Sequence, residues 1–216
     1  MVIPSSSAVY GDSAYTHPVL DEATTPCVPL SLYGATKYAA ERIGLRLGAL
    51  WGLDAVAARI GPAFGPWEHP SGWRDTLSPF LQLLQAADAR QQAVLPPAPL
   101  PAYEWIYVRD VVDGLLRLLD SPAPPHPVVN LGAGRDSAAL LPAWYDALAA
   151  RFPGFRWRHA AAGERPTIRL HDHRPRGVLA ISCAAAFGWA PQTAPEAAIA
   201  DFLAWAGQHP LLWRGG

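Results

Sequence analysis

Apolar and polar positions fall in blocks along this chain, and the blocks predict its elements. Val2-Ile-Pro runs into Ser5-Ser-Ser-Ala-Val-Tyr-Gly11, an apolar start ending in serines and a glycine, which predicts a buried parallel strand over 2–9 with a polar exit. Residues 12–30, rich in Pro, Thr and Asp, read as a surface loop. Ser31 is placed to cap a helix over about 32–50 that ends near Gly52. Gly44, Gly48 and Gly52 recur along one side of that helix, a spacing better suited to close packing inside the fold than to a dimer contact. Asp54–Ile60 predicts a second short buried strand, broken at Gly61-Pro62. Beyond it the pattern predicts a helix over about 77–89, a proline-stiffened connector over 93–102, and a helix from Asp110 to about Leu119. A buried strand with a glycine exit over 128–134, a helix over about 139–151 with Pro142 in its first turn, a strand over 155–159 and a last helix over about 194–207 complete the chain.

Composition narrows the function classes. With 216 residues, half of them hydrophobic, the chain can bury one sizeable core or a domain with a smaller companion. A formal net charge of -1 argues against a nucleic-acid surface or a polybasic membrane patch. No apolar run is long enough to span a bilayer, and no charged segment followed by an apolar stretch opens the chain, so a cytoplasmic location is expected. Cys27 and Cys183 are too few for a disulfide framework and read as free thiols.

The candidate chemistry centres on Ser31-Leu-Tyr-Gly-Ala-Thr-Lys37. A tyrosine and a lysine four apart share one helix face, so the Lys37 ammonium can sit beside the Tyr33 phenol and stabilise its phenolate for acid/base work. Lys37 is also the only lysine among 17 basic residues, so an arginine-using chain keeps a compact point charge here. A serine from the 5–7 run could hydrogen-bond the same substrate oxygen as Tyr33. His171-Asp-His173 has two imidazoles two apart but no third ligand at a recognisable spacing, so a solvated loop and no metal are expected.

The serine run before Val9-Tyr10-Gly11, then Glu22, then Pro29 and Ser31 leading into Tyr33 and Lys37, resembles the extended short-chain dehydrogenase/reductases, the NAD-dependent epimerase/dehydratase family. The resemblance implies an α/β fold, a partial Rossmann-like doubly wound parallel sheet with a smaller C-terminal substrate-binding domain. Its implied division assigns 1–66 and 105–134 to the dinucleotide-binding part and 67–104 and 135–216 to the substrate-binding part. By position, Ser6 matches the family's catalytic Ser/Thr, Tyr33 its acid/base, and Lys37 the residue that favours the phenolate and holds the nicotinamide ribose. Pro62, in Arg59-Ile-Gly-Pro-Ala-Phe-Gly-Pro66, stands where the family commonly has an asparagine beside the nicotinamide. Tyr103 stands where nucleotide-sugar enzymes often hold a phosphate-binding arginine. Ser7 and Ala8 fill the places of the acidic pair that marks the family's dehydratases, which favours an epimerase or dehydrogenase. The implied cofactor is NAD or NADP, and the implied substrate a sugar or nucleotide sugar contacted by Ser7, Arg74, Tyr103 and Arg165. Val128-Val-Asn-Leu-Gly-Ala-Gly134 and Phe187-Gly-Trp-Ala-Pro191 extend the resemblance.

No glycine-rich phosphate turn follows a strand in these residues, because Gly132 and Gly134 come after the wrong strand and lack a third glycine. The expectation is a chain matching roughly the last two thirds of a family member, with an exposed strand edge prone to association. The expected partner is a second copy of this chain in a homodimer, or a separate chain that supplies the missing half. The alternative is a non-catalytic remnant or interaction module that cannot bind the cofactor alone.

Overall fold

The computed structural model describes residues 1–72, 76–121, 126–170 and 174–214. In chain order the first half forms β1 (Val2–Ser6), β2 (Val19–Leu20), α1 (Leu32–Trp51), β3 (Val56–Ile60), β4 (Ala63–Phe64), α2 (Pro79–Asp88) and β5 (Ala93–Leu95). The second half forms β6 (Ile106–Tyr107), α3 (Val108–Asp120), β7 (Val128–Leu131), α4 (Leu140–Arg151), β8 (Trp157–His159), β9 (Val178–Leu179), α5 (Ser182–Ala186), α6 (Pro195–Gln208) and α7 (Pro210–Trp213). Two compact units result, one of residues 1–63, 102–137 and 175–192, the other of 64–101, 138–174 and 193–216.

The first unit is built on a parallel sheet in the order β1-β3-β7. The register aligns Val2 with Val56 and Ala57 with Val128, and all four residues of β7 are buried, as a parallel strand covered on both faces requires. Helix α1 lies on β1 through its glycines. A Cβ on Gly44 would meet Ile3 Cδ1 at 2.5 Å, and one on Gly48 would meet the Ala55 Cβ at 2.6 Å, so the glycine spacing serves packing inside this unit. Gly52, at φ +65°, ends the helix in the left-handed conformation that favours glycine. One core cluster joins Val56, Ala58, Val129 and Leu131 of the sheet to Val111 and Leu118 of α3 and to Trp189. Trp189 donates its indole N–H to the Asp110 carbonyl at 3.2 Å, so Phe187-Gly-Trp-Ala-Pro191 is a packing element of this unit. Residues 175–192 therefore join the first unit rather than the C-terminal division expected from sequence, because β9 pairs with β2 and Trp189 fills that core.

Residues 12–30 differ from the expected surface loop. They hold a short 3-10 turn over Asp12–Tyr15 and strand β2, and they bury Ala14 and Leu20 against Val9, Tyr10 and Leu179.

The second unit has an aromatic core. Trp144 and Phe202 stack at 5.0 Å, Phe80 stacks on Phe64 at 4.5 Å, and the Trp144 indole donates to the Phe80 carbonyl at 3.0 Å. The expected connector over 93–102 starts instead as strand β5, whose Ala93, Val94 and Leu95 are all buried and pair in parallel with β8. Among the described residues, no helix is long and apolar enough to cross a membrane.

Candidate active site

Strand β1 delivers three serines to the end of the sheet, and each has a different environment. Ser5 is buried and its hydroxyl donates to Glu41 Oε2 at 3.0 Å. Ser6 Oγ accepts the Ala8 N–H at 3.2 Å, capping the turn Ser7–Val9, and among the described residues its own O–H has no acceptor. Ser7 is buried and faces a pocket.

Helix α1 starts against that turn. The Ser31 hydroxyl accepts the Gly34 N–H at 3.0 Å, a side-chain cap. A Cβ on Gly34 would lie 2.6 Å from the Ala8 carbonyl oxygen, so only glycine lets the first turn of α1 rest on the residues after Ser6. Tyr33 is 56% exposed. The Lys37 ammonium lies 5.8 Å from the Tyr33 ring centroid and donates to the Pro4 carbonyl at 3.2 Å. The end of β1 and the start of α1 thus bring Ser6, Tyr33 and Lys37 into one neighbourhood, with the phenol open to solvent.

Behind these groups lies a buried polar network that sequence reasoning missed. Glu41, fully buried, accepts from Arg59 Nη2 at 2.7 Å and Nε at 3.1 Å as well as from Ser5. The Arg59 guanidinium lies 4.8 Å from the Tyr10 ring centroid. Tyr10 donates its hydroxyl to Asn130 Oδ1 at 3.0 Å, and Asn130 donates its side-chain N–H groups to the Leu20 and Ala180 carbonyls at 2.9 and 3.2 Å. Burial pushes the Tyr10 phenol up to about 12 against the opposing pull of Arg59, so it stays a protonated donor. Burial lowers Arg59, but the Glu41 hydrogen bonds more than offset it and hold the guanidinium above its ordinary value. A signal was present: Glu41 stands seven residues after Gly34 and seven before Gly48, on the buried stripe of α1.

The remaining predicted residues divide. Ser7, Pro62 and Tyr103 come together around one narrow pocket of about 10 Å³, also lined by Leu20, Glu104, Arg176, Gly177 and Leu179. That is room for about one water molecule. Pro62 offers ring surface, its carbonyl being taken by the Ile106 N–H at 2.9 Å. Tyr103 packs on Trp105 at 4.9 Å, and its backbone N–H donates to Asp136 at 3.3 Å. Burial raises Glu104 at the pocket wall, while the backbone N–H groups of Leu179 and Gly134, each at 2.8 Å, pull the other way. Arg165 is exposed on the loop after β8, in the second unit, so it does not join this pocket. Arg74 and His171-Asp-His173 lie outside the described residues.

A parallel sheet whose strand ends meet a helix start and a glycine-containing turn makes the first unit a Rossmann-like α/β structure. The model of the NAD dependent epimerase/dehydratase family matches residues 1–132, and the chain belongs to that family. Among its relatives, Protein CapI of Staphylococcus aureus is 29% identical over 126 residues, 58% of this chain and 35% of its own. UDP-glucuronate 4-epimerase 5 of Arabidopsis thaliana is 30% identical over 123 residues, 56% of this chain and 27% of its own. A dTDP-glucose 4,6-dehydratase of Bacillus anthracis, solved in complex with NAD, superposes with a TM-score of 0.73 at 20% identity, covering 99% of this chain and 63% of that one. The chain therefore spans about a third of each curated relative and under two thirds of the solved structure.

Proposed function

We propose that this chain carries the proton-transfer part of an NAD(P)-dependent epimerase or dehydrogenase acting on a nucleotide sugar. The observation that supports the reading is the meeting of a serine whose O–H has no acceptor among the described residues, an exposed tyrosine and a lysine near the end of β1, in front of a buried polar network. Tyr33 takes the proton from a sugar hydroxyl as the same carbon loses hydride, and returns it when the resulting carbonyl is reduced. Ser6 donates its O–H to that oxygen and fixes its position. Lys37 stabilises the phenolate form of Tyr33 through space.

NAD(P), when bound, supplies the hydride acceptor and donor. The residues fit its nicotinamide end. Lys37 spends one of its three donors on Pro4, and among the described residues the other two have no protein partner, which suits a ribose diol. Pro62 offers a flat apolar surface and no N–H. The glycine-rich turn that cradles a pyrophosphate is not among these 216 residues, so the fit concerns the nicotinamide end alone. Ser7 and Ala8, in place of an acidic pair, favour epimerisation or oxidation over dehydration.

The test is Tyr33→Phe in the protein as isolated from its cell, assayed with UDP-sugars and NAD or NADP. Turnover is expected to fall roughly 10²- to 10⁴-fold with nucleotide-sugar affinity retained. Turnover near the wild-type rate would remove Tyr33 from the chemistry.

A further inference from the structure

Helix α1 meets strand β1 through two kinds of contact. Gly44 rests on Ile3, an apolar contact with little directional preference. Direction comes from hydrogen bonds. Among the described residues two side-chain bonds join this helix to this strand: Lys37 donates to the Pro4 carbonyl at 3.2 Å, and Glu41 accepts from the Ser5 hydroxyl at 3.0 Å. They leave adjacent turns of α1, four residues apart, and land on adjacent residues of β1.

The two landing points belong to one rigid group. The Pro4 carbonyl lies in the planar peptide unit that ends at the Ser5 Cα, so whatever orients Ser5 also orients that carbonyl. Ser5 is oriented through its side chain. Its hydroxyl is buried and bonds to a carboxylate that Arg59 holds with Nη2 at 2.7 Å and Nε at 3.1 Å. Arg59 stands opposite Ser5 in the parallel ladder, so α1, β1 and β3 close on one buried point. A hydrogen bond to an ionised carboxylate is among the strong and directional ones.

Pro4 has no comparable hold of its own. Its side chain is an exposed ring without a donor. The ammonium that docks on its carbonyl is half-buried and stands one turn from Tyr33 on the same helix face. The place of the Lys37 charge therefore traces back, through one peptide plane, to the Ser5 hydroxyl.

We propose that Ser5 is a positioning residue: its bond to Glu41 sets the peptide plane on which the Lys37 ammonium docks, and so places that ammonium beside Tyr33. The consequence for turnover rests on the reading of Ser6, Tyr33 and Lys37 given above. The placement itself does not.

Lys37 is the one lysine of the chain, so its ammonium can be followed without turnover. The experiment measures acetylation of Lys37 by trace acetic anhydride, against Nα-acetyl-lysine amide added as internal standard, by mass spectrometry of the wild type, Ser5→Ala and Ser5→Thr. In Ser5→Ala the Lys37 rate should rise roughly 3- to 10-fold, the weight of one hydrogen bond. Ser5→Thr keeps the hydroxyl and should stay within about twofold of the wild type. In Ser5→Ala kcat should fall by a similar factor with KM within about twofold of the wild type, a split that lost stability alone does not produce. An unchanged Lys37 rate in Ser5→Ala overturns the proposal, whatever the urea midpoint does. So does a Ser5→Thr rate as high as that of Ser5→Ala, which would assign the effect to packing instead of to the hydroxyl. Ser5→Cys, similar in size with a weaker donor, stands in if the alanine variant does not fold, and should show the same rise. A raised Lys37 rate with unchanged kcat keeps the placement and removes Lys37 from the chemistry, so failure of the catalytic reading is seen apart from failure here.

Discussion

Two turns of one helix carry charged and phenolic groups in opposite circumstances. At the start of α1, Tyr33 is exposed and Lys37 half-buried, and among the described residues the phenol has no protein hydrogen bond and the ammonium has one. One turn later Glu41 is fully buried and holds Arg59 and Ser5 at hydrogen-bond distance. The exposed pair is placed by the backbone, through Ser31 and Gly34, and contributes little to stability. The buried set determines where that backbone lies, because removing any member strands a desolvated partner. Exposed and buried polar groups are thus separated along a single helix.

The largest expected effect tests the buried side. Glu41→Ala leaves the Arg59 guanidinium uncompensated in the interior and should cost about 3–5 kcal/mol, read from urea unfolding of the variant against wild type. A loss under about 1 kcal/mol, typical of exposed pairs, would mean the network is not the anchor described here. Next is Gly34→Ala, whose new methyl would press on the Ala8 carbonyl. It should destabilise by about 1–3 kcal/mol and also lower turnover, since it moves Tyr33 relative to Ser6.

Smaller still is a pH effect. Burial raises Glu22 and Glu104, so their contribution to stability is fully present below the ordinary glutamate value and is lost as pH rises through their raised values in the fold. Wild type should therefore lose stability relative to Glu104→Gln as pH rises through that window, measured as the difference in urea midpoints. Below it the exposed Glu164, held at about 2 by its hydrogen bonds from Arg158, acts with the opposite sign. The smallest effect is on the exposed side: Tyr33→Phe should change unfolding free energy by less than about 0.5 kcal/mol while removing turnover.

Local signals made much of this legible in advance. The Ser31 cap, the Gly52 stop and the glycine spacing of α1 are short-range features whose physics is complete within the helix, and the structure has each of them. Strand β5 was hidden because three buried residues beside prolines carry no periodicity, and its partner β8 lies some sixty residues away. The 12–30 segment differs from a surface loop for a related reason: its polar composition conceals Ala14 and Leu20, which become core only when β9 pairs with β2. The same holds for the network: Arg59 and Asn130 stand on segments that read as buried strands, but the partners of Glu41, Arg59 and Asn130 lie up to 120 residues apart and only the fold supplies them.

The outer side of β1 carries a further consequence. The Val56 N–H donates to the Met1 carbonyl, so residues 1, 3 and 5 turn their backbone groups toward β3, and Pro4 turns its backbone to the opposite side. On that side Pro4 has no N–H to give, and its carbonyl is already taken by Lys37. Any extended segment adding there, from this chain or another, would meet a ladder with one rung missing and would have to displace the ammonium from its carbonyl.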